Sequence, residues 1–590
     1  MSAPPPPAPV PAPIGTQQAV ADGRDNVIIQ IQGDGNSIVE NLPHLTLTRY
    51  LRRRQHSESE TDLLAPYSMA IPFLGRKPEM AELHDWMASA KPIAIRVLVG
   101  RAGTGKTRLA LELCGAAVKQ QWDAGFVTER ELERFMAKQN LATWGWQHPT
   151  LIVIDYAAPR ARQLHDWFVE LADNGGDPRK PLRVLLLERH ADPAGGWWQE
   201  AFGRGGGDAQ AVRHLLDPAD RPVVLPSLAD PEERRELLTA VLARLDSVER
   251  PPAPGADAHF DRLLADLSWG GEPLFLFMAG LTAARRGFGR VLALSRTDLA
   301  YSIADREIAR IESVAKNRKL SPRFLSHMAA YVTLCQGLER TAVEEAIEEE
   351  KTAKQYYSAG DPPDIAEALL TVLPSEQSVI NAIQPDMIGE AILLRVLRAH
   401  PQERQDACVL RAFQRSGGRV AATIMRAAQD YAFAGEPEPL TWLDCLAREG
   451  AVRLAMLIEI ADQLPLNTLM LRERAAAIYV TIVVQTRGLV EAAPDSETPR
   501  SLLATSLNNL ANVLSDLGQR EAALAAAQEA VAILSPFFLA LPPAFAQWML
   551  TMVRNYRNYA EQLEREPDAA LLGPILEKFA ALQASTGGES

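Results

Sequence analysis

The sequence is poor in cysteine, and the few cysteines it has are far apart. The 590 residues include only four, Cys114, Cys335, Cys408 and Cys445, and no two of them form a CxxC pair. Small disulfide-stapled folds and cysteine-rich zinc modules need closely spaced or numerous cysteines, so both classes are excluded. The pattern is typical of reduced, buried thiols in a cytoplasmic protein.

Long apolar runs and positive charge are also scarce. No uninterrupted apolar run approaches the ~18 residues that indicate a transmembrane helix, so we expect no membrane partner. The Pro-rich start has neither a basic region nor a continuous apolar stretch, so no secretory signal is expected. The net charge is −13, and the one dense basic run is Arg52–Arg54. An acidic chain is a poor default binder of nucleic acid, and we expect no such partner.

Three segments of different composition precede the first domain. Residues 1–25 are rich in proline, which fixes φ and has no N–H to donate, and predict a disordered tail. Residues 26–40, NVIIQIQGDGNSIVE, predict a β-hairpin around Gly33–Asn36, and residues 41–70 predict a polar linker. Apolar and amide side chains alternate at 29–32, which also suits an amyloid-like cross-β stack. Both interpretations of 26–40, the docked hairpin and the stack, stay open.

From residue 71 onward, short apolar runs alternate with helical stretches. The runs have strand length and are IAIRVLV (93–99), AGFV (124–127), TLIVID (150–155), RVLLLER (183–189) and RPVVLPSL (221–228). Strands that alternate with helices predict a parallel sheet covered on both faces. We therefore predict a three-layer α/β domain over 71–228, followed by a largely helical region.

The C-terminal part predicts paired helices. Residues 501–534 are typical of a helical hairpin broken at Gly518, with small alanines on the second helix. A fainter copy follows at a spacing of 46 residues, in which Asn509, Asn512 and Leu517 recur as Asn555, Asn558 and Leu563. This resembles tetratricopeptide-type repeats, which we predict over 401–590 as a helical solenoid. A plain helical bundle remains the alternative.

The stretch GRAGTGKT matches the full phosphate-loop pattern G-x-x-x-x-G-K-[ST] between a predicted strand and a predicted helix. Glycines let backbone N–H groups approach phosphates, and the start of the helix adds partial positive charge. Lys106 is expected to reach the β- and γ-phosphates, and the Thr107 hydroxyl to bind Mg²⁺. The residues expected to bind ATP or ADP here are Gly100, Gly103, Gly105, Lys106, Thr107 and Arg108.

Two more strand ends carry polar residues. TLIVID ends in Asp155, whose carboxylate is expected to hold the Mg²⁺ shell, and Arg189 follows the next strand, where it could sense the γ-phosphate. Together with Lys106, these are the predicted catalytic residues. The residue after Asp155 is Tyr156, so no adjacent acid activates water and slow turnover is expected, unless a base such as Glu188 takes that role.

The order of motifs resembles the nucleotide-binding module of STAND ATPases (signal-transduction ATPases with numerous domains), relatives of the NB-ARC and NACHT modules. PFLGRKPEMAEL (72–83) resembles the family's stretch near adenine, and GGEPLFL (270–276) resembles its G-x-P motif. The resemblance adds Gly75, Arg76 and Pro273 to the nucleotide-binding set. It implies a helical subdomain over 229–310 and a winged helix over 311–400.

In the winged helix of this family an M-H-D type motif senses ADP, and QPDMIGEAIL (384–393) lies at that place. Pro385 stands where the histidine would be, and it cannot contact a β-phosphate through its side chain. We expect Asp386 to cap its helix instead.

The resemblance implies an ATP/ADP-dependent switch. An unknown protein or peptide ligand on the C-terminal repeats would open it, the active form would be a homo-oligomer, and residues 26–40 would engage an effector, as in bacterial antiphage defence. The alternatives are a turnover ATPase, either a chaperone-like remodeller or a P-loop kinase, and a repeat scaffold with a structural nucleotide site.

Overall fold

The computed structural model describes most of the chain after residue 58. The described residues are 45–48, 59–138, 146, 148–174, 179–193, 196–203, 207–245, 247–266, 271–291, 294–354, 360–373, 375–376, 379–448, 454–464, 471–493 and 496–586. The tail predicted for 1–25 and the hairpin predicted for 26–40 lie outside them.

Five parallel strands form the central sheet in the order β2-β3-β4-β1-β5. In β1, β3 and β4 the aliphatic side chains are buried on both faces, as in parallel sheets covered by helices. The predicted strand at 221–228 is reduced to two residues, because Pro222 and Pro226 cannot donate to a ladder. The strands are β1 Ile93–Val99, β2 Asp123–Phe126, β3 Thr150–Asp155, β4 Leu182–Glu188 and β5 Val223–Val224.

Helices cover this sheet on both sides and complete an α/β domain of the P-loop kind. One face packs against an apolar core that includes Trp167 and Phe168, and the other against a core that includes Trp86 and Leu113. The first helices of the chain are α1 Glu60–Leu64, α2 Lys77–Met87, α3 Lys106–Lys119, α4 Glu129–Lys138, α5 Ala161–Asn174, α6 Gly196–Phe202 and α7 Gly207–Leu215.

The linker predicted for 41–70 is wrong for the parts that the structure describes. Thr48 pairs with Phe126 at the end of β2, and Ser59 caps α1 by accepting a hydrogen bond from Thr61 N. Glu60 forms ion pairs with Arg285 and Arg306. The Glu60 charge is therefore neutralised by arginines from helices more than 200 residues away.

Five helices follow the sheet: α8 Pro231–Arg244, α9 Ala258–Ala265, α10 Pro273–Arg286, α11 Phe288–Val291 and α12 Arg296–Asn317. Asp230 caps α8 through a 2.9 Å hydrogen bond from Glu232 N. The predicted subdomain boundary at 310/311 falls inside α12, a continuous helix of 22 residues with a Ser295–Asp298 capping box. A continuous helix is a poor place for a domain boundary, so this boundary needs correction.

Helices and a small antiparallel sheet of order β6-β8-β7 make up the next region. Its elements in chain order are α13 Pro322–Leu334, β6 Leu338–Glu339, α14 Arg340–Lys354, α15 Pro362–Val372, β7 Ser375–Glu376, β8 Val379–Ile380 and α16 Asp386–Arg398. The winged-helix interpretation of 311–400 stays a prediction.

The described residues after α16 are mostly helical. Gly518, with φ of 76°, lies between the two helices of the predicted hairpin, where its lack of a Cβ permits the left-handed turn. The helices are α17 Gln402–Ser416, α18 Gly418–Tyr431, α19 Glu438–Arg448, α20 Leu454–Asp462, α21 Arg472–Ala492, α22 Glu497–Asp516, α23 Arg520–Ala540, α24 Pro542–Gln562 and α25 Ala569–Thr586. Whether they form tetratricopeptide-type repeats stays a prediction.

Two asparagines of the repeat pattern, Asn512 and Asn555, are hydrogen-bonded to each other, and Asn508, which is outside that pattern, joins them. Asn555 donates to Asn508 at 2.9 Å and to Asn512 at 3.2 Å, and the Tyr559 hydroxyl also donates to Asn512. These bonds join α22 to α24. Mutual hydrogen bonding explains how these amides can be buried between helices.

Two of the C-terminal helices, α21 and α23, are long and apolar enough to cross a membrane by length and composition alone. Their most apolar windows are 33% and 44% buried within the fold. Core helices of globular proteins meet the same two criteria, so this is weak evidence for a membrane span.

Candidate nucleotide site

The phosphate loop lies between β1 and α3, the context that its sequence requires. Gly103 and Gly105 have φ of 84° and 92°, left-handed values that residues with a Cβ rarely adopt. The Lys106 ammonium folds back over the loop and donates to the carbonyls of Gly100, at 2.5 Å, and Arg101, at 3.3 Å. The loop is thus closed around the position that phosphates would take, with the ammonium at its centre.

Thr107 and Asp155 meet across this loop. The Thr107 hydroxyl donates to Oδ2 of Asp155 at 2.9 Å, which joins the first turn of α3 to the end of β3. A hydroxyl and a carboxylate are oxygen donors of the kind that Mg²⁺ prefers. These two side chains would hold the ion, directly or through water, and it would supply positive charge to the bound phosphates.

Burial shifts the ionisation of both charged groups at this point. It lowers the pKa of Lys106 to about 8, although the nearby Asp155 carboxylate opposes the shift. Burial raises the pKa of Asp155, against the Thr107 hydrogen bond and the Lys106 charge. Because each group is desolvated, each gains from an added phosphate or cation of opposite charge.

The loop is supported from behind by one earlier and one later element of the chain. Arg76 donates to the Thr104 carbonyl at 3.0 Å and pairs with Glu79 at 2.6 Å. The first turn of α10 approaches from the other side, where Leu274 N donates to the Gly103 carbonyl at 3.2 Å. A Cβ added at Gly103 would lie 3.1 Å from the Leu274 Cβ, so this position has room only for glycine.

Apolar residues line the cleft beyond the phosphate loop. Arg108 donates to the Ile71 carbonyl at 3.2 Å, and its guanidinium lies 5.9 Å from the centre of the Phe73 ring. Pro273 lines the same end of the cleft. An apolar pocket next to a phosphate loop has the character needed for a nucleobase. Its lining from the N-terminal side is Leu63–Pro66 and Ser68–Leu74.

Strand β4 lies between β1 and β3, so its end faces the gap between the phosphate loop and Asp155. Glu188 and Arg189 occupy this end and line the cleft. Burial raises the pKa of Glu188. Nη1 of Arg189 donates to Oδ1 of Asp430 at 3.1 Å, and Asp430 lies on α18 in the C-terminal helical region.

Arg189 belongs to a buried group of charged and polar side chains, called here the latch cluster: Tyr156, Arg189, Asp386, Glu390, Arg426 and Asp430. The Tyr156 hydroxyl donates to Asp386 Oδ2, and Gln384 donates to Asp386 Oδ1 at 2.8 Å. Nε of Arg426 lies 3.7 Å from Asp386 Oδ2 and 3.7 Å from Glu390 Oε1. The cluster therefore joins the end of β3, the end of β4, α16 and α18.

Charges in the latch cluster are incompletely paired. Neither carboxylate oxygen of Glu390 has a hydrogen-bond partner among the described residues, and burial raises the pKa of that carboxyl well above its ordinary value. Burial also opposes ionisation of Asp386, but the Arg426 and Arg189 charges and the hydrogen bonds from Tyr156 and Gln384 together outweigh it, and the pKa of Asp386 is lowered. Because these charges are shielded from water and incompletely paired, a charge added nearby changes the stability of the cluster strongly.

The structure brings most of the predicted nucleotide-binding residues to one cleft. Its lining includes Arg76, Gly103, Gly105, Lys106, Thr107, Arg108, Asp155, Arg189 and Pro273. Gly100 and Gly75 lie behind that lining. Gly75 has φ of 69°, and a Cβ there would meet Leu228 Cδ2 at 2.8 Å.

The prediction that Asp386 caps its helix is wrong. Pro385 is the N-cap of α16 and makes no side-chain capping bond, while Asp386 accepts from Tyr156 and Gln384. Sequence reasoning missed Arg426 and Asp430 altogether. Both lie on an alanine-rich amphipathic helix without a motif, so no local signal indicated them.

Comparisons with known proteins give no family. No family model matches the chain, and no curated protein matches it. Among solved structures it is similar to a structure of Drosophila ORC bound to DNA, at 14% identity and a TM-score of 0.25, over 59% of this chain and 96% of that one. It is similar in the same way to a DNA replication initiation factor, at 11% identity and a TM-score of 0.25, over 59% and 94%.

A TM-score of 0.25 is too low for either likeness to say what this chain does. The DNA belongs to the ORC structure, and the likeness gives no evidence for or against a nucleic-acid partner here. The fold of this chain is a parallel five-stranded sheet with a phosphate loop, followed by a helical C-terminal region.

Proposed function

We propose that the protein is an ATP/ADP-dependent signalling switch whose nucleotide site is held in a closed state by its C-terminal region. The observation that carries this is the ion pair between Arg189 at the nucleotide cleft and Asp430 on α18. In this proposal the arginine at the end of β4 would contact a γ-phosphate. In the closed state its guanidinium is already paired with a carboxylate from another part of the chain.

We infer that the switch works by competition between the Asp430 carboxylate and the γ-phosphate of ATP for the Arg189 guanidinium. Bound ADP leaves Arg189 paired with Asp430, since a diphosphate does not extend to the third phosphate position. Bound ATP places a new negative charge beside Arg189 and close to the Asp386 carboxylate, whose lowered pKa keeps it ionised. Like charges in a buried site repel strongly, so ATP favours separation of α16 and α18 from the sheet domain.

The remaining site residues have ordinary roles in this account. Lys106 would neutralise the β- and γ-phosphates, Thr107 and Asp155 would hold Mg²⁺, and Pro273 would pack against the nucleobase. With Tyr156 after Asp155, no adjacent acid orients an attacking water, so hydrolysis resets the switch slowly. A chaperone-like remodeller needs sustained hydrolysis, and this geometry disfavours it. A P-loop kinase needs an acceptor pocket and lid, for which the sequence gives no signature.

The finer assignment rests on the resemblance to STAND ATPases. From this resemblance we propose a homo-oligomeric active form, a protein or peptide ligand on the helices of 401–590, and an effector engaged through residues 26–40. Residues 229–310 would form the helical subdomain and 311–400 the winged helix, with the boundary moved to the end of α12. Bacterial antiphage defence is the proposed setting, and cytoplasmic localisation agrees with the isolated thiols.

One preparation tests the proposal. The purified protein is denatured, the released nucleotide is identified, and the mass of the native protein is measured with ADP and with ATP. A switch releases close to one ADP per chain and is monomeric with ADP, and ATP together with its ligand raises its mass. A protein that releases no nucleotide and turns over ATP rapidly as a monomer contradicts the switch.

A further inference from the structure

The β2 edge of the central sheet is covered by residues 45–48 of the same chain. Strand β2 is the last strand on its side of the sheet, and edge strands present unpaired N–H and C=O groups. Thr48 pairs with Phe126 in antiparallel orientation: Thr48 N donates to the Phe126 carbonyl at 2.7 Å, and Phe126 N donates to the Thr48 carbonyl at 3.0 Å. Both main-chain bonds of this pair are therefore made.

The segment is anchored by side chains as well. Leu45 and Leu47 pack against the apolar core on one face of the sheet, and Thr46 N donates to Glu131 Oε1 at 2.7 Å. The order Leu-Thr-Leu-Thr matches the period of two of an extended strand, with leucines on the buried side. The edge thus binds an extended segment in which every second residue is apolar.

Gly125 on β2 makes room for it. A Cβ at this position would lie 2.8 Å from the Thr48 carbonyl oxygen and 3.0 Å from the Leu47 Cβ. These nearest atoms belong to the 45–48 segment and not to the core of the sheet. Glycine at 125 is therefore required for the docking of this segment specifically.

We propose that residues 45–48 are a built-in ligand of the β2 edge, which blocks this edge against other strands. Release of 45–48 would free the edge for pairing with another strand. The occupant is this chain's own segment, in cis.

A matched pair of glycine variants tests this in the full chain without nucleotide, so that the result is independent of the proposed switch. Gly125→Ala adds only the Cβ that meets Thr48, while Gly115→Ala on α3 adds a Cβ with nothing within 4 Å. Leu47→Asp attacks the same contact from the other side. The readouts are amide hydrogen exchange at Thr48 and Phe126, proteolysis near residue 47, and mass by light scattering.

We expect Thr48 and Phe126 to be protected in the wild type and in Gly115→Ala, and to lose protection in Gly125→Ala and Leu47→Asp. Both disrupting variants should also be cleaved faster near residue 47 and self-associate through the open edge. Equal exchange at Phe126 in all four proteins would overturn the proposal. So would self-association that is unchanged when 45–48 is shown by proteolysis to be released.

Discussion

Nη1 of Arg189 lies 3.1 Å from Oδ1 of Asp430, a residue 241 positions further along the chain. Arg189 follows β4 at the nucleotide cleft, and Asp430 lies near the end of α18. This single ion pair connects the site where phosphates would bind to the helical region that follows it. The predictions below concern the phosphate loop, the latch cluster and the rate of hydrolysis.

Replacing Lys106 with alanine should weaken ADP and ATP binding by well over tenfold. The ammonium is desolvated at the centre of the loop, and a charge-assisted hydrogen bond is worth about 1.5–3 kcal/mol. Titration calorimetry measures the change. The matched control is Lys119→Ala at the exposed end of the same helix, which should leave affinity unaltered. Unchanged affinity in Lys106→Ala would remove the site assignment.

Nucleotide affinity should fall as pH rises through about 8, the lowered pKa of Lys106 in the empty site. Phosphate favours the ammonium, so binding takes up a proton above that pH and none below it. The dissociation constant should then rise by up to about tenfold per pH unit. Lys106→Arg, whose guanidinium stays charged, should bind more weakly but without this slope. A flat profile in the wild type would show that Lys106 is not the titrating contact.

Tyr156→Phe should loosen the closed state. It removes the hydroxyl that donates to Asp386 and leaves a buried carboxylate short of one donor, at a cost of about 1.5–3 kcal/mol. We expect faster ADP release with unchanged secondary structure. Tyr559→Phe removes a hydroxyl from the Asn512 contact in the C-terminal helices and serves as control. It should lower thermal stability without altering ADP release.

ATP hydrolysis by the isolated protein should be slower than about 1 per second, below the usual range for enzymes. Glu188 is the one acid besides Asp155 on the strand ends of the cleft, so Glu188→Gln should reduce the residual rate while ADP affinity is kept. Steady turnover of roughly tens per second without any partner would favour the remodeller. A colorimetric phosphate assay over minutes separates the two.

The sheet was predictable because its signal is local. The bounds of β1 and β3 agree with the predicted runs, since buried parallel strands are continuous apolar stretches in the sequence. The phosphate loop and Asp155 could be placed for the same reason. Asp155 ends β3 and the phosphate loop directly follows β1, so both can be found in the sequence once the strands are known.

The latch cluster could not be predicted, because its members are distant in sequence and lie on ordinary amphipathic helices. Nothing around Arg426 or Asp430 distinguishes them from surface charges until α18 packs against the sheet domain. The linker prediction for 59–70 is wrong because the partners of Glu60, which are Arg285 and Arg306, are also distant in sequence.

The central claim is that the Arg189–Asp430 pair couples the nucleotide cleft to the C-terminal region and holds the ADP-bound state. A double-mutant cycle tests it most directly: the ADP dissociation rate is measured for the wild type, Arg189→Gln, Asp430→Asn and the double variant, with Asp166→Asn on the exposed face of α5 as control. If the pair is the latch, each single variant releases ADP faster, the double variant is no faster than the singles, and the control matches the wild type. Additive effects, or an Asp430→Asn variant that releases ADP at the wild-type rate, would contradict the account.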